Sequence, residues 1–358
     1  MTIEHIALHN FRNYARADIE PCPGITVLYG DNAQGKTGVL EAVELCCVGR
    51  SHRTARDKEM ILWGAPAARV TVTAQRTDGG HEVDVLIPQD APKEIKVGGR
   101  RISRSGELMG HIYGVLFSPE DLRMVKDGPA ERRRFIDMEL SQLKPSYYYA
   151  LQKYNRALRH RAALLRDAYG NPSLMEVLPV WDEQLAQSGE TILAERRAFL
   201  EGLAEVAREI HAAVTGGREV LDLRYKPSPV EGGILEVLAK NRESDIRRGA
   251  TGVGPHRDDI VFALNGADAR SYGSQGQQRT LVLSLKLSEL RVMRDRTGEW
   301  PVLMLDDVMS ELDPKRRRQL LEYLDGVQTL VTCTDKDDLA GMQAGKLLRV
   351  EDGRISNE

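Results

Sequence analysis

The chain opens on alternation. Ile3, Ile6 and Leu8 lead to Phe11, and after a polar turn over 10–14 apolar positions resume at Ile19, which predicts a strand, a turn and a returning strand. Gly24 then introduces Ile25-Thr26-Val27-Leu28-Tyr29, an apolar run suited to a buried strand. From about Gly35 the period changes, and Val39, Leu40, Val43, Cys46 and Cys47 predict a helix. Val70, Val72 and Ala74 alternate, Asp78-Gly79-Gly80 turns, and Val83, Val85 and Ile87 alternate back. Ile95 and Val97 add a further strand before Gly98-Gly99.

Between about 128 and 215 the pattern is helical. Leu151, Tyr154, Leu158, Ala162 and Leu165 hold one face, Gly170-Asn171-Pro172 breaks it, and Ile192, Phe199, Leu203, Val206, Ile210 and Val214 hold another until Gly216-Gly217. Two long amphipathic helices around a breaker predict an antiparallel helical arm. Their heptad pattern is too short for an extended coiled coil. After Gly252, Ile260, Phe262 and Leu264 predict a strand ending at Asn265-Gly266. A helix over 274–294, a strand over 302–305, a helix over 314–324 and a strand over 328–332 follow, and Leu348, Val350 and Asp352-Gly353 predict a closing hairpin. The expected architecture is α/β with three segments. Residues 1–125 and 252–358 form one head with a mixed sheet and an N-terminal antiparallel β lobe, and 126–251 form the inserted helical arm.

Bulk properties narrow the class. The 358 residues are 41% hydrophobic and 29% charged, as in ordinary globular proteins. No apolar run approaches the roughly 20 residues that span a bilayer, and the N-terminus has no signal-peptide pattern. Adjacent Cys46 and Cys47, with only Cys22 and Cys333 besides, argue against a disulfide framework or a metal site, so a reduced, cytoplasmic protein is expected. The net charge of −3 confines any nucleic-acid surface to local clusters. Candidates are Arg132-Arg133-Arg134, Arg159-His160-Arg161, Arg247-Arg248 and Lys315-Arg316-Arg317-Arg318, each of which could equally be a solvated helix face.

The chemistry is written at both ends. Gly30-Asp31-Asn32-Ala33-Gln34-Gly35-Lys36-Thr37 fits the phosphate-binding loop G-x-x-x-x-G-K-[ST], between a predicted strand and a predicted helix. Gly30 and Gly35 permit the turn that aims successive N–H groups, including that of Asn32, at phosphate. Lys36 suits the β- and γ-phosphates, and the Thr37 hydroxyl suits Mg²⁺. Val302-Leu303-Met304-Leu305-Asp306-Asp307 is an apolar strand ending in two carboxylates. Asp306 is placed for Mg²⁺, and Asp307 for polarising the attacking water. Ser274-Gln275-Gly276-Gln277 opens a helix upstream of that strand, the order found in ABC-type ATPases, where this signature serves the ATP of the other subunit. Ser310-Glu311-Leu312-Asp313 resembles the loop that crosses the same interface. A homodimer with two composite ATP sites is therefore expected, with Ser274, Gly276 and Gln277 acting in trans.

Beyond these motifs the chain resembles the RecF family, bacterial recombination mediators related to the SMC-type ABC ATPases. The resemblance rests on Asn10-Phe11-Arg12-Asn13-Tyr14, Gly49-Arg50-Ser51-His52-Arg53-Thr54, Phe117-Ser118-Pro119-Glu120-Asp121-Leu122, Arg132-Arg133-Arg134-Phe135-Ile136-Asp137, Gly254-Pro255-His256-Arg257-Asp258-Asp259, the signature and the 305–313 segment. It implies ATP-dependent dimerisation, binding of gapped DNA with little sequence preference, and cooperation with RecR and RecO in loading RecA. Ala33 and Gly38 depart from the Gly and Asn of many members. The Gln that senses Mg²⁺ in typical ABC heads has no counterpart in Ser118-Pro119-Glu120-Asp121, and Thr332-Cys333-Thr334-Asp335 lacks the usual switch His.

Some residues keep two readings. Arg12 and Asn13 either touch nucleotide or close their own turn. His256 and Arg257 either face the dimer seam or γ-phosphate, or form a buried pair with Asp258. Tyr147-Tyr148-Tyr149 either stacks on bases or packs in the arm. The subunit of an ABC transporter and a structural SMC linker are the competing functions. The long insertion disfavours the first, and the lack of a long coiled coil and hinge disfavours the second. Asp307 is one methylene shorter than the Glu common at this position, so turnover should be slow. Asp307→Glu is expected to speed ATP hydrolysis in a steady-state assay, and an unchanged or slower rate contradicts the side-chain-length explanation.

Overall fold

The computed structural model describes residues 1–167, 176–229, 231–335 and 343–357. The Gly170-Asn171-Pro172 break lies outside the described residues. Two compact units emerge, one of Met1–Leu122, Ala213–Gly216 and Arg279–Glu358, the other of Arg123–Ala212 and Gly217–Gln278. The sequence pattern ended the insertion at 251. The second unit runs on to Gln278 because the strand beginning at Asp259 pairs with one at Leu221–Lys226. Among the described residues no helix is long and apolar enough to cross a membrane.

The first unit begins with β1 (Thr2–Phe11), β2 (Tyr14–Ile19), β3 (Ile25–Tyr29), α1 (Lys36–Val48), β4 (Ala67–Arg76), β5 (Gly79–Pro88), β6 (Glu94–Val97), β7 (Arg100–Arg101) and β8 (Gly114–Phe117). Six strands form an antiparallel sheet in the order β2-β1-β4-β5-β6-β7. Its register sets Ile6, Val72 and Val83 in one row and Leu8, Val70 and Val85 in the next, all fully buried, which is how alternation becomes a core face.

The arm opens with α2 (Arg123–Lys126), α3 (Pro129–Leu143), α4 (Pro145–Asp167) and α5 (Leu178–Thr215). Next come β9 (Leu221–Lys226), α6 (Ile234–Arg248), β10 (Asp259–Leu264), β11 (Ala267–Asp268), α7 (Ala269–Tyr272) and α8 (Gln275–Thr297). The remaining elements, all in the first unit, are β12 (Val302–Asp306), α9 (Val308–Glu311), α10 (Pro314–Tyr323), β13 (Thr329–Cys333), β14 (Lys346–Glu351) and β15 (Arg354–Asn357). Here the second sheet runs β15-β14-β3-β13-β12-β8, with β14, β3, β13, β12 and β8 parallel and β15 antiparallel at the edge. Helix α1 touches strands of both sheets and is buried all round, which explains why its apolar residues show no single stripe. The parallel register aligns Asp306 with Thr332, and Thr332 with Leu28. The carboxyl ends of β3, β13 and β12 therefore lie side by side, where open α/β sheets bind ligands.

In the second unit α4 and α5 are antiparallel. Lys144 meets Glu195, Tyr147 meets Arg196, Arg161 meets Asp182, and His160 stacks on Trp181. The buried stripe of α4 is Tyr147, Ala150, Tyr154, Ala157, Arg161 and Leu165, rotated from the apolar face expected through Leu151 and Leu158. The reason is electrostatic. Arg161 is fully buried because Asp182, Asp245 and Thr251 surround it. A second buried arginine, Arg196, bonds Asp137, Asp258 and the Pro255 carbonyl. Removing one member of such an ion cluster typically costs about 3–5 kcal/mol. Strand β9 and helix α6 are elements the sequence reading did not list.

Tyr147 and His256 are held by packing and internal hydrogen bonds, whereas Tyr148 and Tyr149 are half-buried and Arg257 is exposed. Tyr147 is buried, with its hydroxyl between Asp137 and Arg196. Asp258 pairs with Arg196 and Tyr225 rather than with His256. His256 Nε2 donates to the Thr251 carbonyl at 3.0 Å, so that in the neutral ring Nδ1 accepts from the Tyr154 hydroxyl at 2.6 Å. Burial pushes its pKa down from 6.5 to about 4, and the Arg257 and Arg133 charges add to this against the Thr251 hydrogen bond. The unfolded chain takes up a proton near 6.5 that the folded chain refuses until about 4. This group's contribution is thus full above 6.5 and is lost as pH falls towards 4. Urea unfolding between pH 7.5 and 4.5 should show His256→Gln losing less stability on acidification than the parent protein; parallel curves contradict this assignment.

Candidate functional site

The phosphate-binding loop springs from the buried end of β3. Gly30 has φ 148, and a Cβ there would stand 2.2 Å from the Val350 carbonyl oxygen, so only glycine fits between the loop and β14. Gly35 has φ 115 and starts α1. Ala33 holds a left-handed φ of 65, a conformation that costs a residue bearing a Cβ about 1–3 kcal/mol. Glycine, with no Cβ, would be the relaxed choice there. Two hairpin turns brace the loop. Asn13, in the β1–β2 turn, donates to the Ala33 carbonyl at 3.0 Å, and Gln34 accepts from the Asp352 N–H at 2.6 Å. Asn32 is exposed at the loop tip.

Lys36 is buried, and its Nζ donates to the carbonyls of Gly30 and Asp31 at 2.6 and 2.9 Å, which carries the ammonium across the loop. The Thr37 hydroxyl donates to Asp306 Oδ1 at 2.9 Å, across 269 residues of chain. This spends the hydroxyl hydrogen and leaves the oxygen's lone pairs for a cation. The Thr37 hydroxyl oxygen beside the Asp306 carboxylate is a hard-oxygen donor pair that suits Mg²⁺. Asp307 lies in the left-handed region at φ 52, its N–H bonded to the Thr332 hydroxyl at 2.9 Å. Its carbonyl accepts from Ser310, and Asp313 caps α10 by accepting from Arg316 N–H.

Around α1 sits a polar collar that no sequence motif announces. Arg12 forks onto Glu41 at 2.8 and 2.5 Å and also donates to the Glu59 carbonyl, so its guanidinium closes its own turn onto the helix. Ser51 and Arg53 add to Glu41, and His52 binds Glu44 at 2.5 Å. Burial favours a neutral Glu41, yet the hydrogen bonds from Arg12 and Ser51 outweigh it and hold the carboxyl below its usual range. Burial likewise opposes charge on His52, but Glu44, Glu41 and Asp306 raise its pKa. The available signal was a pair of glutamates, Glu41 and Glu44, inside an otherwise apolar helix. After β8, Ser118 N–H bonds Asp121, closing a turn whose exposed side chain is Glu120.

Gly30, Asn32, Gly35, Lys36, Thr37, Asp306 and Asp307 thus come together in the first unit, with Arg12 and Asn13 bracing them. Ser274, Gly276 and Gln277 lie in the second unit. There Ser274 and Gln277 form a reciprocal capping box, Ser274 N–H to Gln277 Oε1 at 2.9 Å and Gln277 N–H to Ser274 Oγ at 3.2 Å. The Ser274 oxygen accepts within its own helix. The basic clusters are partly spent inside the fold. Arg132 pairs with Asp259, Arg133 donates to the Asp258 carbonyl, and Arg161 is buried. Arg159, Arg247, Arg248, Lys315 and Arg318 remain at the surface.

Residues 2–356 match the family model described as the RecF/RecN/SMC N terminal domain. Over 357 residues the chain is 43% identical to the DNA replication and repair protein RecF of Lachnoclostridium phytofermentans, covering 99% of each. Over 366 residues it is 42% identical to that of Acetivibrio thermocellus, again covering 99% of each. Among solved structures, the recombination mediator protein RecF with ATP, of the RecFOR pathway, superposes with a TM-score of 0.93 at 34% identity, over 100% of this chain and 97% of that one. An Smc head domain from Pyrococcus furiosus shares the fold, with a TM-score of 0.60 at 17% identity, over 100% of this chain and 96% of that one.

Proposed function

The chain belongs to the RecF family of SMC-like ABC ATPases, and on that premise we propose that it is an ATP-driven DNA clamp that mediates recombination at single-strand gaps and ss/dsDNA junctions in the cytoplasm. The observation that supports the ATP part of this reading is the Thr37–Asp306 hydrogen bond beside Lys36, which brings the two distant motifs together; the recombination part rests on the family. ATP binds with its phosphates against the N–H groups of the loop and the N-terminus of α1, and Lys36 exchanges its carbonyl partners for phosphate oxygens. Thr37 and Asp306 would hold Mg²⁺, which would offset phosphate charge. Asp307 orients the attacking water, and its short reach keeps turnover low.

Ser274 accepts within its capping box, so its hydroxyl hydrogen is available to a γ-phosphate on a second copy. With the Gly276 N–H and the α8 N-terminus, this makes a trans contact that closes a homodimer only when ATP is present. Pairing two heads doubles every surface cation and gives an acidic chain a continuous phosphate-binding face. DNA gripped there has little sequence information to offer. Working with RecR and RecO, the clamp promotes RecA loading in repair and replication restart, and hydrolysis resets it.

The test is dimerisation and gapped-DNA binding with ATP for wild type, Lys36→Arg and Ser274→Arg. Wild type should dimerise with ATP and bind gapped DNA at least about tenfold more weakly at physiological than at dilute salt. Lys36→Arg should keep partial nucleotide contact and lose turnover. Ser274→Arg should bind ATP yet stay monomeric. Normal ATP-dependent dimerisation of Ser274→Arg, or salt-insensitive DNA binding, contradicts the clamp.

A further inference from the structure

Thr332 closes β13 and is fully buried. Its hydroxyl is used in both directions. It donates to Asp306 Oδ1 at 2.8 Å and accepts from the Asp307 N–H at 2.9 Å. The parallel register of β12 and β13 places Thr332 directly beside Asp306, so these contacts are built into the sheet rather than into a loop. Asp306 Oδ1 therefore receives two hydroxyls, from Thr37 on one side and Thr332 on the other, which fixes the rotation of the carboxylate. The second contact anchors the left-handed turn at Asp307, and so the backbone from which that side chain leaves. Ser would keep both hydrogen bonds. Val, with the same branched shape, would keep neither.

We propose that Thr332 is a positioning residue of the nucleotide site. It orients Asp306 for the cation and Asp307 for water, so that the two neighbouring carboxylates diverge into separate tasks. This rests on the ATPase reading above and deepens it. Thr332 is fully buried and acts through the two aspartates that it bonds.

The experiment compares wild type, Thr332→Val and Thr332→Ser in the full chain. It measures ATP binding as a function of Mg²⁺ concentration, and ATP hydrolysis with DNA present. Thr332→Val should bind ATP at saturating Mg²⁺ within about threefold of wild type, need roughly tenfold more Mg²⁺ for half-saturation, and hydrolyse about 10–100-fold more slowly, the range seen when groups that orient metal ligands are lost. Thr332→Ser should restore both. A valine variant equal to wild type in Mg²⁺ requirement and turnover overturns the proposal, as does a serine variant as impaired as valine, which would assign the residue to packing. A wild type that fails to bind ATP at any Mg²⁺ concentration fails the ATPase reading itself. One that binds but does not hydrolyse still decides the proposal through its Mg²⁺ requirement.

Discussion

The hydrogen bond from Thr37 to Asp306 joins residues 269 positions apart. It forms because β3 and β12 both flank β13 in a parallel sheet, with their carboxyl ends level. A parallel sheet needs long crossovers, and here the connection between the two motifs is long enough to contain a whole second unit. The sheet register, not sequence proximity, makes the site. Everything chemical in the first unit follows from it. The loop leaves β3, the carboxylates leave β12, and β13 contributes the hydroxyl between them.

The surroundings serve rigidity. Helix α1 is enclosed between two sheets, and its two glutamates are met by Arg12, Ser51, Arg53 and His52. A loop that must present backbone N–H groups to phosphate gains from such bracing, because orientation set in advance costs nothing at binding. The arm follows another logic. Its core holds two buried arginines with their carboxylates, a geometry that favours one helix register over its neighbours because any slip would leave a charge unpaired.

How far each part could be read from sequence tracks the range of the interactions that make it. The phosphate loop is local, so spacing and flanking pattern sufficed. The hairpins at 78–80 and 352–353 were legible through their glycine turns, whereas Asn265-Gly266 read only as a strand end and the short returning strand β11 was missed. The buried face of α4 was not, because hydrophobic periodicity assigns Arg161 to solvent, while three residues distant in sequence draw it inside. Arg12 invited a ligand role by its place in a family block, yet its guanidinium lies on Glu41. The blocks around Arg132 and His256 likewise turn out to hold the arm together. A conspicuous polar block reports a buried requirement as readily as a ligand.

If Thr37 and Asp306 act as one unit on a nucleotide bound to a single head, their contributions to ATP affinity are coupled. A double-mutant cycle on ATP affinity in the presence of Mg²⁺, using Thr37→Val, Asp306→Asn and the pair, measures this directly. A coupling of at least about 1 kcal/mol is expected, the double variant losing clearly less than the two single losses combined, as for residues in direct contact. Strictly additive losses would contradict it.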